Sequence, residues 1–489
     1  MALVLIGFMG AGKSTLASRL AKRRGRAPID GDALLVERFG HSVAREFDLH
    51  GEQAFRAAEE KVMCGLLQGV DARDVVALGG GSVVSARVRT ALTGHTTALI
   101  EVAPEVAWER VHRDDGSERP LARDRDAFEA LYVQRRSLYE QVADAHLLWA
   151  ESASGEYPVL VGRGLLGGER LAAVWPFDRL ASRPFCVTDE TVGELYGGQL
   201  GGLTKTIAIP PGESAKTLAS ADRVWRELAQ AGMTRADHLV ALGGGVVGDL
   251  AGFCAATYQR GVPVVHVPTT LVAMVDSAYG GKTGVDLPDA KNYVGAYHQP
   301  AVVLVDPDML ATLAPAELAA GWVEVLKTAL IAGGELWERV SQTTGCEVNE
   351  STILDCAATK LAIVAEDERD AGDRQVLNLG HTVGHAIETA TGYARYRHGE
   401  AVGLGLLAAL RLSRQEHLRA QVRELLIERD LPVTFDGAPV EALLGAIARD
   451  KKRVGDRVPF VLVQAPGEVS HGSEVAEGDV RAAVEELMR

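Results

Sequence analysis

The sequence predicts the α/β fold class, with two successive units of which the second ends in a mainly helical half. In residues 1–150, short apolar runs such as LVLIGF and DVVALGGG alternate with amphipathic stretches. This rhythm is typical of a parallel sheet covered by helices. A second alternating region begins at RPFCVTDE and ends near AVVLVDP. After Pro315 strand-like runs nearly vanish and the apolar residues follow helical periodicity, which predicts the helical half.

Length and composition limit the number of domains and the class of protein. The chain has 489 residues, which is too long for one hydrophobic core, and its 47% hydrophobic and 24% charged residues are ordinary for a globular protein. No window reaches the roughly 20 apolar residues of a membrane-spanning helix. The net charge of −15 argues against nucleic-acid binding, and five cysteines without a CxxC pair are expected to be buried thiols. We therefore expect a cytoplasmic protein without nucleic-acid or membrane partners.

The regular alternation loosens between Glu151 and Ser182, so we place the domain boundary there. The predicted units are residues 1–165, a linker at 166–182, an α/β half at 183–315 and a helical half at 316–489. Because most domains carry a self-sufficient core, residues 1–165 are expected to fold and function alone. The motif VALGGG occurs at 76–81 and again at 240–245, but the flanking sequences do not support an internal repeat.

The strongest signal in the first unit is GFMGAGKST, from Gly7 to Thr15, which fits G-x-x-x-x-G-K-[ST]. It follows the apolar run ALVLI and precedes LASRLAKR, which is the strand, loop and helix context that a phosphate-binding P-loop requires. In such a loop the backbone amides wrap the phosphates, Lys13 reaches the transferred group, and the Ser14 hydroxyl ligates Mg²⁺. The first unit is therefore predicted to bind a nucleotide.

Further motifs extend this pattern over nearly all of the first 150 residues. They are IDGDALLVERFG, GEQAFRAAEE, DVVALGGGSVV, RDDGSERPLARD and QRRSLYEQVAD. Together with the P-loop they resemble the shikimate kinase family. The resemblance implies a P-loop kinase domain that transfers the γ-phosphate of ATP, bound with Mg²⁺, to a hydroxyl of shikimate.

The resemblance also implies roles for individual residues. Lys13 would be the phosphate clamp, Ser14 and Asp30 the Mg²⁺ ligands, and Asp32 the base that holds the ring hydroxyls. Arg119 would lie in a lid and neutralise charge that develops on the phosphoryl group. The nucleotide-binding positions are Gly10, Ala11, Gly12, Lys13, Ser14, Thr15 and Arg119. The shikimate-binding positions are Asp32, Arg56, Gly80 and Arg135, with the adjacent Arg136 as an alternative that the spacing to Tyr139 disfavours.

In the second unit, QVLNLGHTVGHAIE puts His381 and His385 four residues apart at the start of a predicted helix, and His398 follows in RHGEA. Residues i and i+4 share a helical face, so two imidazoles can converge on one ion. Glu324, in GWVEVLKTALI, can supply a carboxylate from elsewhere in the fold. This combination predicts a metal site.

Glycine turns and charged residues accompany the histidines. HLVALGGGVVGDL ends a strand in three glycines followed by Asp249, and VVHVPTTL places Thr269 and Thr270 after the next strand. Bare backbone N–H groups at such turns can approach an anion or ligand closely. The glycine-rich segment VDSAYGGKTGVDLPDAKNYVGAYHQP adds Asp276, Lys282, Lys291 and Asn292.

With these motifs the second unit resembles the 3-dehydroquinate synthase family over about residues 183–489. The family acts on 3-deoxy-D-arabino-heptulosonate 7-phosphate. Bound NAD⁺ oxidises a ring hydroxyl, phosphate is eliminated, the ketone is reduced back, and ring opening with aldol closure gives 3-dehydroquinate. A divalent metal, Zn²⁺ or Co²⁺, polarises the oxidised oxygen, which requires a three-ligand site with open positions.

By this resemblance the metal ligands are Glu324, His381 and His398, and the catalytic groups are Lys282, Lys327 and His385. The NAD positions are Asp189, Glu213, Lys216, Gly245, Val246, Val247, Gly248, Asp249, Thr269, Thr270, Lys282 and Lys291, without a standard GxGxxG fingerprint. The substrate positions are Asp276, Lys282, Asn292, Lys327, Lys360, Arg374, Asn378, His385 and Lys452. Arg260 would reach into the site of a second subunit, which implies a homodimer.

Two alternatives stay open. The second unit could be another sugar phosphate cyclase, of the 2-deoxy-scyllo-inosose or valiolone type, because these enzymes share the metal and NAD motifs. The residues that fit the dehydroquinate version are Lys282, Arg374, Asn378 and His385. The first unit could be a non-catalytic nucleotide-binding module, against which the intact Lys13, Asp32, Arg56 and Arg119 argue. Two positions depart from the synthase family: Asp286, where asparagine is common, and Asp370, where glutamate is common.

Overall fold

One sheet of eleven strands runs through the chain in the computed structural model, which describes residues 1–113, 120–122, 124–177, 181–288, 290–448 and 459–488. Two further sheets within these ranges have two strands each. Helices cover the large sheet in the N-terminal two thirds of the chain and dominate the last third. The predicted α/β class with a helical C-terminal half is confirmed.

The N-terminal part of the large sheet has five parallel strands. They are β1 (Leu3–Ile6), β2 (Ile29–Asp30), β3 (Val75–Ala77), β4 (Thr96–Leu99) and β5 (Ala145–Ser152). The helices of this part are α1 (Lys13–Arg23), α2 (Gly31–Phe39), α3 (Val43–Gly69), α4 (Ala86–Leu92), α5 (Pro104–Arg113) and α6 (Arg125–Val142). The strand order is β2-β3-β1-β4-β5, with Leu3 opposite both Val75 and Thr96. β1 is fully buried in the centre, which explains its unbroken apolar sequence.

The C-terminal part of the large sheet has six strands that are parallel to one another. The strands that follow β5, including a separate antiparallel hairpin of β11 and β12, are β6 (Gly155–Val161), β7 (Pro184–Asp189), β8 (Lys205–Ile209), β9 (His238–Gly243), β10 (Val264–Pro268), β11 (Lys282–Leu287), β12 (Ala290–Tyr297) and β13 (Val302–Val305). The helices between them are α7 (Gly168–Val174), α8 (Glu190–Tyr196), α9 (Leu218–Gln230) and α10 (Gly245–Thr257). The strand order is β6-β13-β10-β9-β7-β8.

The last third of the chain is mainly helical. Its helices are α11 (Pro315–Ala332), α12 (Gly334–Gln342), α13 (Glu350–Glu366), α14 (His381–Ala390), α15 (His398–Leu412), α16 (Glu416–Ile427), α17 (Val440–Ala448) and α18 (Glu477–Leu487), and its small sheet pairs β14 (Phe460–Ala465) with β15 (Glu468–Ser473). α11 and α15 are buried on nearly all sides. Their apolar residues accordingly occur around the whole helix rather than along one stripe, and the buried charged residues of α11 are Glu324 and Lys327.

Two expectations from composition can be compared with the structure. Cys186, Cys254 and Cys356 are buried free thiols, and Cys64 and Cys346 are partly buried. Within the described ranges no helix is both long and apolar enough to cross a membrane.

The two parts of the sheet are joined by the hairpin of β5 and β6. β5 is parallel to β4 and antiparallel to β6, whereas β6 is parallel to β13. The strand direction therefore reverses at this joint, and the carboxyl ends of the two sets of strands lie at opposite edges of the sheet. The predicted linker at 166–182 contains α7 and the buried Trp175, so the sheet and its core continue through the predicted boundary. The limits of independently folding units remain a prediction.

We expect residues 183–489 alone to be much less stable than residues 143–489, because the shorter fragment lacks the hairpin of β5 and β6 and also α7. β6 buries Tyr157, Val159, Leu160 and Val161. Burial of each such side chain contributes roughly 1.5–3 kcal/mol, and a typical domain is stable by only about 5–15 kcal/mol. Urea unfolding of both fragments measures the difference. Equal unfolding midpoints would show that the hairpin adds nothing to this part of the fold.

Candidate active sites

The loop between β1 and α1 depends on glycine at two positions. Gly10 and Gly12 have φ values of 79° and 90°, and a Cβ atom on Gly10 would lie 2.6 Å from a carbonyl oxygen of α5. α1 begins at Lys13, so the first backbone N–H groups of the helix face the loop, where anions bind. Lys13 Nζ donates to the carbonyl oxygens of Gly7 and Phe8 at 2.9 Å each, which holds the ammonium group at the same loop.

Asp30 ends β2 and Asp32 lies in the first turn of α2, both at the carboxyl edge of the same five strands. Asp30 Oδ1 accepts from the backbone N–H groups of Asp32 at 2.9 Å and Ala33 at 3.1 Å, so it also caps α2. β2 pairs with β3, and β3 pairs with β1, so these carboxylates and the P-loop emerge at one edge of the sheet. Ser14 is exposed in the first turn of α1. Arg119 lies outside the described residues.

Asp32 and Arg56 pass directly over the glycine turn that follows β3. A Cβ atom on Gly79 would lie 2.4 Å from Asp32 Oδ1, and one on Gly81 would lie 2.0 Å from Arg56 Nη1. Sequence reasoning missed Glu59, which is buried and pairs through Oε2 with Arg56 Nη1 at 2.6 Å. The signal that could have identified it is the i, i+3 spacing from Arg56 on α3.

The structure distinguishes the two adjacent arginines of α6. Arg135 is buried, and its Nη1 donates to the Gly80 carbonyl oxygen at 3.3 Å. Tyr139 OH donates to the same oxygen at 2.5 Å, and burial raises the pKa of this phenol to about 12. Arg136 instead pairs with Glu140 at 2.9 Å on the exposed face of the helix. Arg135 is therefore the arginine at the glycine turn.

A cavity of about 1420 Å³ lies between the C-terminal strands and the helical third of the chain. In sheets of this type ligands bind at the carboxyl ends of the strands, which is where this cavity opens. The predicted residues that line it are Asp189, Glu213, Lys216, Gly245, Val246, Val247, Asp249, Thr269, Thr270, Asp276, Lys282, Lys291, Asn292, Glu324, Lys360, Asn378, His381, His385 and His398. Gly248, Arg260, Lys327 and Arg374 do not line it. Lys452 lies outside the described residues.

One wall of the cavity is built from strand ends. α10 begins at Gly245 directly after β9, and a Cβ atom on Gly244 would lie 2.8 Å from the Thr270 side chain. The turn must therefore stay without side chains, which leaves backbone N–H groups facing the cavity. Asp189 ends β7 and caps α8 by accepting from the Val192 N–H at 2.9 Å. Bare backbone and a carboxylate at neighbouring strand ends suit a dinucleotide.

Lys216 is the buried centre of a charged group on this wall. Its Nζ lies 2.9 Å from Glu213 Oε1, 3.3 Å from Asp249 Oδ2 and 2.7 Å from Asn292 Oδ1. Burial by itself lowers the pKa of Lys216, but Asp249 and Glu213 more than reverse this, so the amine stays charged. Burial raises the pKa of Asp249 to about 6. Asp286 accepts from the Asn292 N–H at 2.7 Å and thus fixes the chain that carries Asn292.

Asp276 joins the strand side of the cavity to the helices. Its Oδ2 accepts from Lys327 Nζ at 2.7 Å, and Lys360 Nζ donates to its carbonyl oxygen at 2.7 Å and to its Oδ1. Burial opposes ionisation of this carboxyl, but the two ammonium groups keep its pKa well below the usual value. Lys327 also pairs with Glu324 Oε2 at 2.6 Å. Lys327 therefore lies beneath the cavity floor and supports Asp276 and Glu324.

The three predicted metal ligands converge on the cavity floor. Glu324 Oε1 lies 3.8 Å from His381 Nε2 and 3.5 Å from His398 Nε2, and one atom of each residue falls within 4.8 Å of the others. Glu324 is 1% exposed, and its Oε1 faces both imidazoles while its Oε2 pairs with Lys327 Nζ. Two imidazoles and such a carboxylate are a donor set for a divalent metal. His385 stands beside them, with its ring centroid 5.2 Å from that of His381.

Glu388 is a second residue that sequence reasoning missed. Its Oε2 lies 3.4 Å from His398 Nδ1, and its Oε1 lies 3.1 Å from Lys291 Nζ. Burial disfavours ionisation of this carboxyl, but His398 and Lys291 hold its pKa at about 2. The signal that could have identified it is the i, i+7 spacing from His381, which puts both on one face of α14.

Arg374 is buried beside the cavity without lining it. It is 1% exposed, and its guanidinium donates to the carbonyl oxygens of Glu368 and, at 3.0 Å, of Gly280. In this structure it therefore connects two loops beside the cavity, and its predicted contact with the substrate remains a prediction. Lys282 does face the cavity, where it pairs with Asp370 Oδ2 at 2.6 Å, so the shorter aspartate side chain is long enough for this contact. Burial lowers the pKa of Lys282.

Protein-family models match three segments of the chain. Residues 9–157 match the family model for shikimate kinase. Residues 206–320 match the model for the N-terminal part of 3-dehydroquinate synthase, and residues 321–453 match the model for its C-terminal part. The 3-dehydroquinate synthase of Symbiobacterium thermophilum is 40% identical over 361 residues, which cover 69% of this chain and 100% of that relative.

Solved structures share the fold of the second unit. A 2-deoxy-scyllo-inosose synthase complexed with carbaglucose-6-phosphate, NAD⁺ and Co²⁺ is similar with a TM-score of 0.62 at 24% identity, over 70% of this chain and 99% of that chain. A 2-epi-5-epi-valiolone synthase from Streptomyces hygroscopicus with bound NAD⁺ and Zn²⁺ has a TM-score of 0.59 at 28% identity, over 69% of this chain and 99% of that chain. With these matches and the cavity described above, the chain belongs to the 3-dehydroquinate synthase family and carries a shikimate kinase domain in front of the synthase.

Proposed function

We propose that the chain is a bifunctional enzyme. Its first activity is ATP-dependent phosphorylation of shikimate to shikimate 3-phosphate. Its second is NAD- and metal-dependent conversion of 3-deoxy-D-arabino-heptulosonate 7-phosphate to 3-dehydroquinate with release of phosphate. The observation that carries this proposal is that the region matched by the shikimate kinase model and the region matched by the synthase models each contain a polar site of their own, one at Lys13 in the P-loop and one in the cavity whose floor carries Glu324.

The synthase cavity fits both a metal and a dinucleotide. The buried Glu324 carboxylate, whose Oε1 faces the imidazoles of His381 and His398, suits Zn²⁺ or Co²⁺, and the bare turn at Gly245 suits NAD⁺. When bound, the metal supplies Lewis acidity to a substrate oxygen and NAD⁺ accepts a hydride. The valiolone synthase relative holds the same pair of groups, NAD⁺ and Zn²⁺.

The chain's own side chains bind the substrate and move its protons. Lys282 and Lys360 line the cavity and offer positive charge to the carboxylate and phosphate of the substrate. Because the chain as a whole is acidic, this positive charge must come from individual residues of the site. Asp276 fixes Lys360 through two contacts, so that this ammonium group is held in place. His385, on the wall beside the metal ligands, is assigned to proton transfer at the departing phosphate.

In the kinase domain the P-loop binds ATP with Mg²⁺, and the groups over the glycine turn bind shikimate. Lys13 carries positive charge to the phosphates. Asp32 accepts the proton of the attacking shikimate hydroxyl, and Arg56 and Arg135 bind the carboxylate, for which a guanidinium fork is suited. Ser14 and Asp30 are the proposed Mg²⁺ ligands.

The alternatives are less well supported. The relative that is 40% identical over the synthase unit is a dehydroquinate synthase, whereas the solved valiolone synthase is 28% identical. In the kinase domain Lys13 sits at the P-loop and Asp32 and Arg56 over the glycine turn, which a module that only binds nucleotide does not require.

Two assays on the purified full-length chain test the proposal. One follows shikimate phosphorylation with ATP and Mg²⁺. The other follows phosphate release and 3-dehydroquinate formation with NAD⁺ and Zn²⁺. We expect both activities. Phosphate release only from a sugar phosphate without the carboxylate would favour another cyclase, and absence of shikimate phosphorylation would favour a non-catalytic first domain.

Arg135→Ala is expected to raise the KM for shikimate by roughly 10- to 100-fold, because a hydrogen bond to a charged group contributes about 1.5–3 kcal/mol. Arg136→Ala removes an equal charge from the exposed face of the same helix, next to Glu140, and is expected to leave this KM unchanged. Steady-state kinetics at saturating ATP measure both variants. An effect confined to Arg136→Ala would reverse the assignment.

We also propose a homodimer formed through the synthase part in the cytoplasm. Arg260 is exposed, lies in a left-handed turn with φ of 67°, and does not line its own cavity. These features suit a residue that reaches a second subunit. Light scattering of the full-length chain measures its mass, and Arg260→Ala is expected to impair cyclisation without affecting the kinase. A monomer with full synthase activity would contradict the dimer.

A further inference from the structure

The imidazole of His398 lies between two carboxylates. Its Nε2 is 3.5 Å from Glu324 Oε1, and its Nδ1 is 3.4 Å from Glu388 Oε2. Two groups of potential metal ligands therefore share this ring, one with Glu324 and His381 and the other with His385 and Glu388. Glu388 would be a ligand only if the ion lay on its own side of the ring.

The contacts of the two carboxylates distinguish the two sides. Glu324 Oε1 lies within 4 Å of two imidazole nitrogens, His381 Nε2 at 3.8 Å and His398 Nε2 at 3.5 Å, while its Oε2 pairs with Lys327 Nζ at 2.6 Å. Glu388, in contrast, contacts His398 through one oxygen and pairs with Lys291 Nζ through the other at 3.1 Å. Lys291 Nζ in turn lies 4.6 Å above the centre of the Tyr393 ring, which holds it in place. The carboxylate oxygen that faces two imidazole nitrogens at once, Glu324 Oε1, is therefore the better placed metal ligand.

We propose that Glu388 is a positioning residue that holds the proton of His398 on Nδ1, so that Nε2 faces an ion bound by Glu324 and His381. A carboxylate behind a ligating imidazole fixes the tautomer and the ring orientation and raises the basicity of the ligand. The inference rests on the metal site proposed above. It gives a role to Glu388, which is not among the predicted metal ligands.

The same carboxylate reaches across the cavity. Lys291 belongs to β12 on the cofactor side, whereas Glu388 and His398 belong to α14 and α15 of the helical third. Lys291 Nζ also lies 3.7 Å from Glu213 Oε1 on the strand wall. Glu388 thus connects the orientation of a metal ligand to the position of a predicted NAD contact. Removing the charge of Glu388 is expected to weaken metal binding more than NAD binding, because Glu388 contacts the metal ligand His398 directly.

Glu388→Gln in the full-length chain tests the role. We expect the Zn²⁺ dissociation constant, measured by competition with a chromogenic chelator, to rise by roughly 10- to 100-fold. The unfolding temperature of the metal-free protein should change little, and excess Zn²⁺ should restore part of the cyclisation activity. Glu416→Gln makes the same charge change on the exposed face of α16 and should keep wild-type affinity for Zn²⁺. Glu388→Asp keeps the charge but withdraws it from the ring, and its affinity should be intermediate.

Wild-type Zn²⁺ affinity in Glu388→Gln would overturn the inference. Two zinc ions per wild-type chain that fall to one in Glu388→Gln would also overturn it, since Glu388 would then be a ligand. If Glu388→Gln does not fold, the Zn²⁺ affinity of Glu388→Asp decides alone, and an unchanged value there counts against the role. A wild-type chain that binds no zinc would instead contradict the proposed metal site itself.

Discussion

Replacing His398 by alanine is expected to empty the metal site and to lower cyclisation by roughly 10³-fold. The metal contributes several kcal/mol by stabilising charge on the substrate oxygen, and about 4 kcal/mol corresponds to that factor. His398 Nε2 faces Glu324, so its loss opens one of three protein positions on the ion. Elemental analysis of the purified variant, together with a phosphate-release assay, measures both effects.

His385→Ala is the matched control for this experiment, because it removes an imidazole from the same wall without removing a predicted ligand. It should retain the metal and still lose cyclisation. Shikimate phosphorylation should be unchanged in both variants. Full metal occupancy in His398→Ala would show that the ligand assignment is wrong. Chelator treatment of the wild-type chain should stop cyclisation, and added Zn²⁺ or Co²⁺ should restore it.

Lys13→Ala is expected to lower shikimate phosphorylation by roughly 10³-fold or more, because a preorganised cation at the developing charge of a phosphoryl group contributes several kcal/mol. Two carbonyl oxygens of the loop hold Lys13 Nζ in place. The substitution therefore removes a positioned charge and not a mobile surface group. Cyclisation should be unaffected, since the two sites lie at opposite edges of the sheet. Separate assays of one preparation measure both rates.

Lys22→Ala is the control for Lys13→Ala, because it removes a lysine from the exposed last turn of the same helix. It should leave both activities intact. Equal loss of both activities in Lys13→Ala would mean that the domains are coupled or that the P-loop assignment is wrong.

The site residues that could be predicted from the sequence are those that lie at characteristic spacings within a short segment. The P-loop glycines and Lys13 follow one another in the chain, and His381 and His385 share a helical face by their i, i+4 spacing. Glu324 could be added from the resemblance, and the structure places it at the same point from α11.

The residues that were missed depend on burial and on distant partners. Glu59 and Glu388 look like ordinary helical carboxylates in sequence, and only the packed structure shows that each is buried against a functional side chain. The surroundings of Arg374 were likewise not visible in the sequence, since its guanidinium contacts backbone carbonyl oxygens of two loops. Contacts between residues far apart in sequence have no local signature.

The joint between the two parts of the sheet was also not predictable from sequence. β5 and β6 are both short apolar runs, and their hydrophobic pattern does not reveal which strand each will pair with. The loose composition after Glu151 suggested a linker, yet Ser152 and Gly155 are opposite residues of a tight hairpin. Pairing with β13 joins residues more than a hundred positions apart, which local propensity cannot indicate.

This hairpin also determines what happens to two strand edges. A sheet that ended at β5 would present a row of unpaired N–H and C=O groups, which is a template for association with other chains. The same holds for a sheet that began at β6. In this chain each strand covers the edge of the other, from His146 opposite Val161 to Ser152 opposite Gly155. Joining the two enzymes at this point therefore removes an aggregation-prone edge from each, and the fused chain should remain dispersed at concentrations at which its separated halves associate.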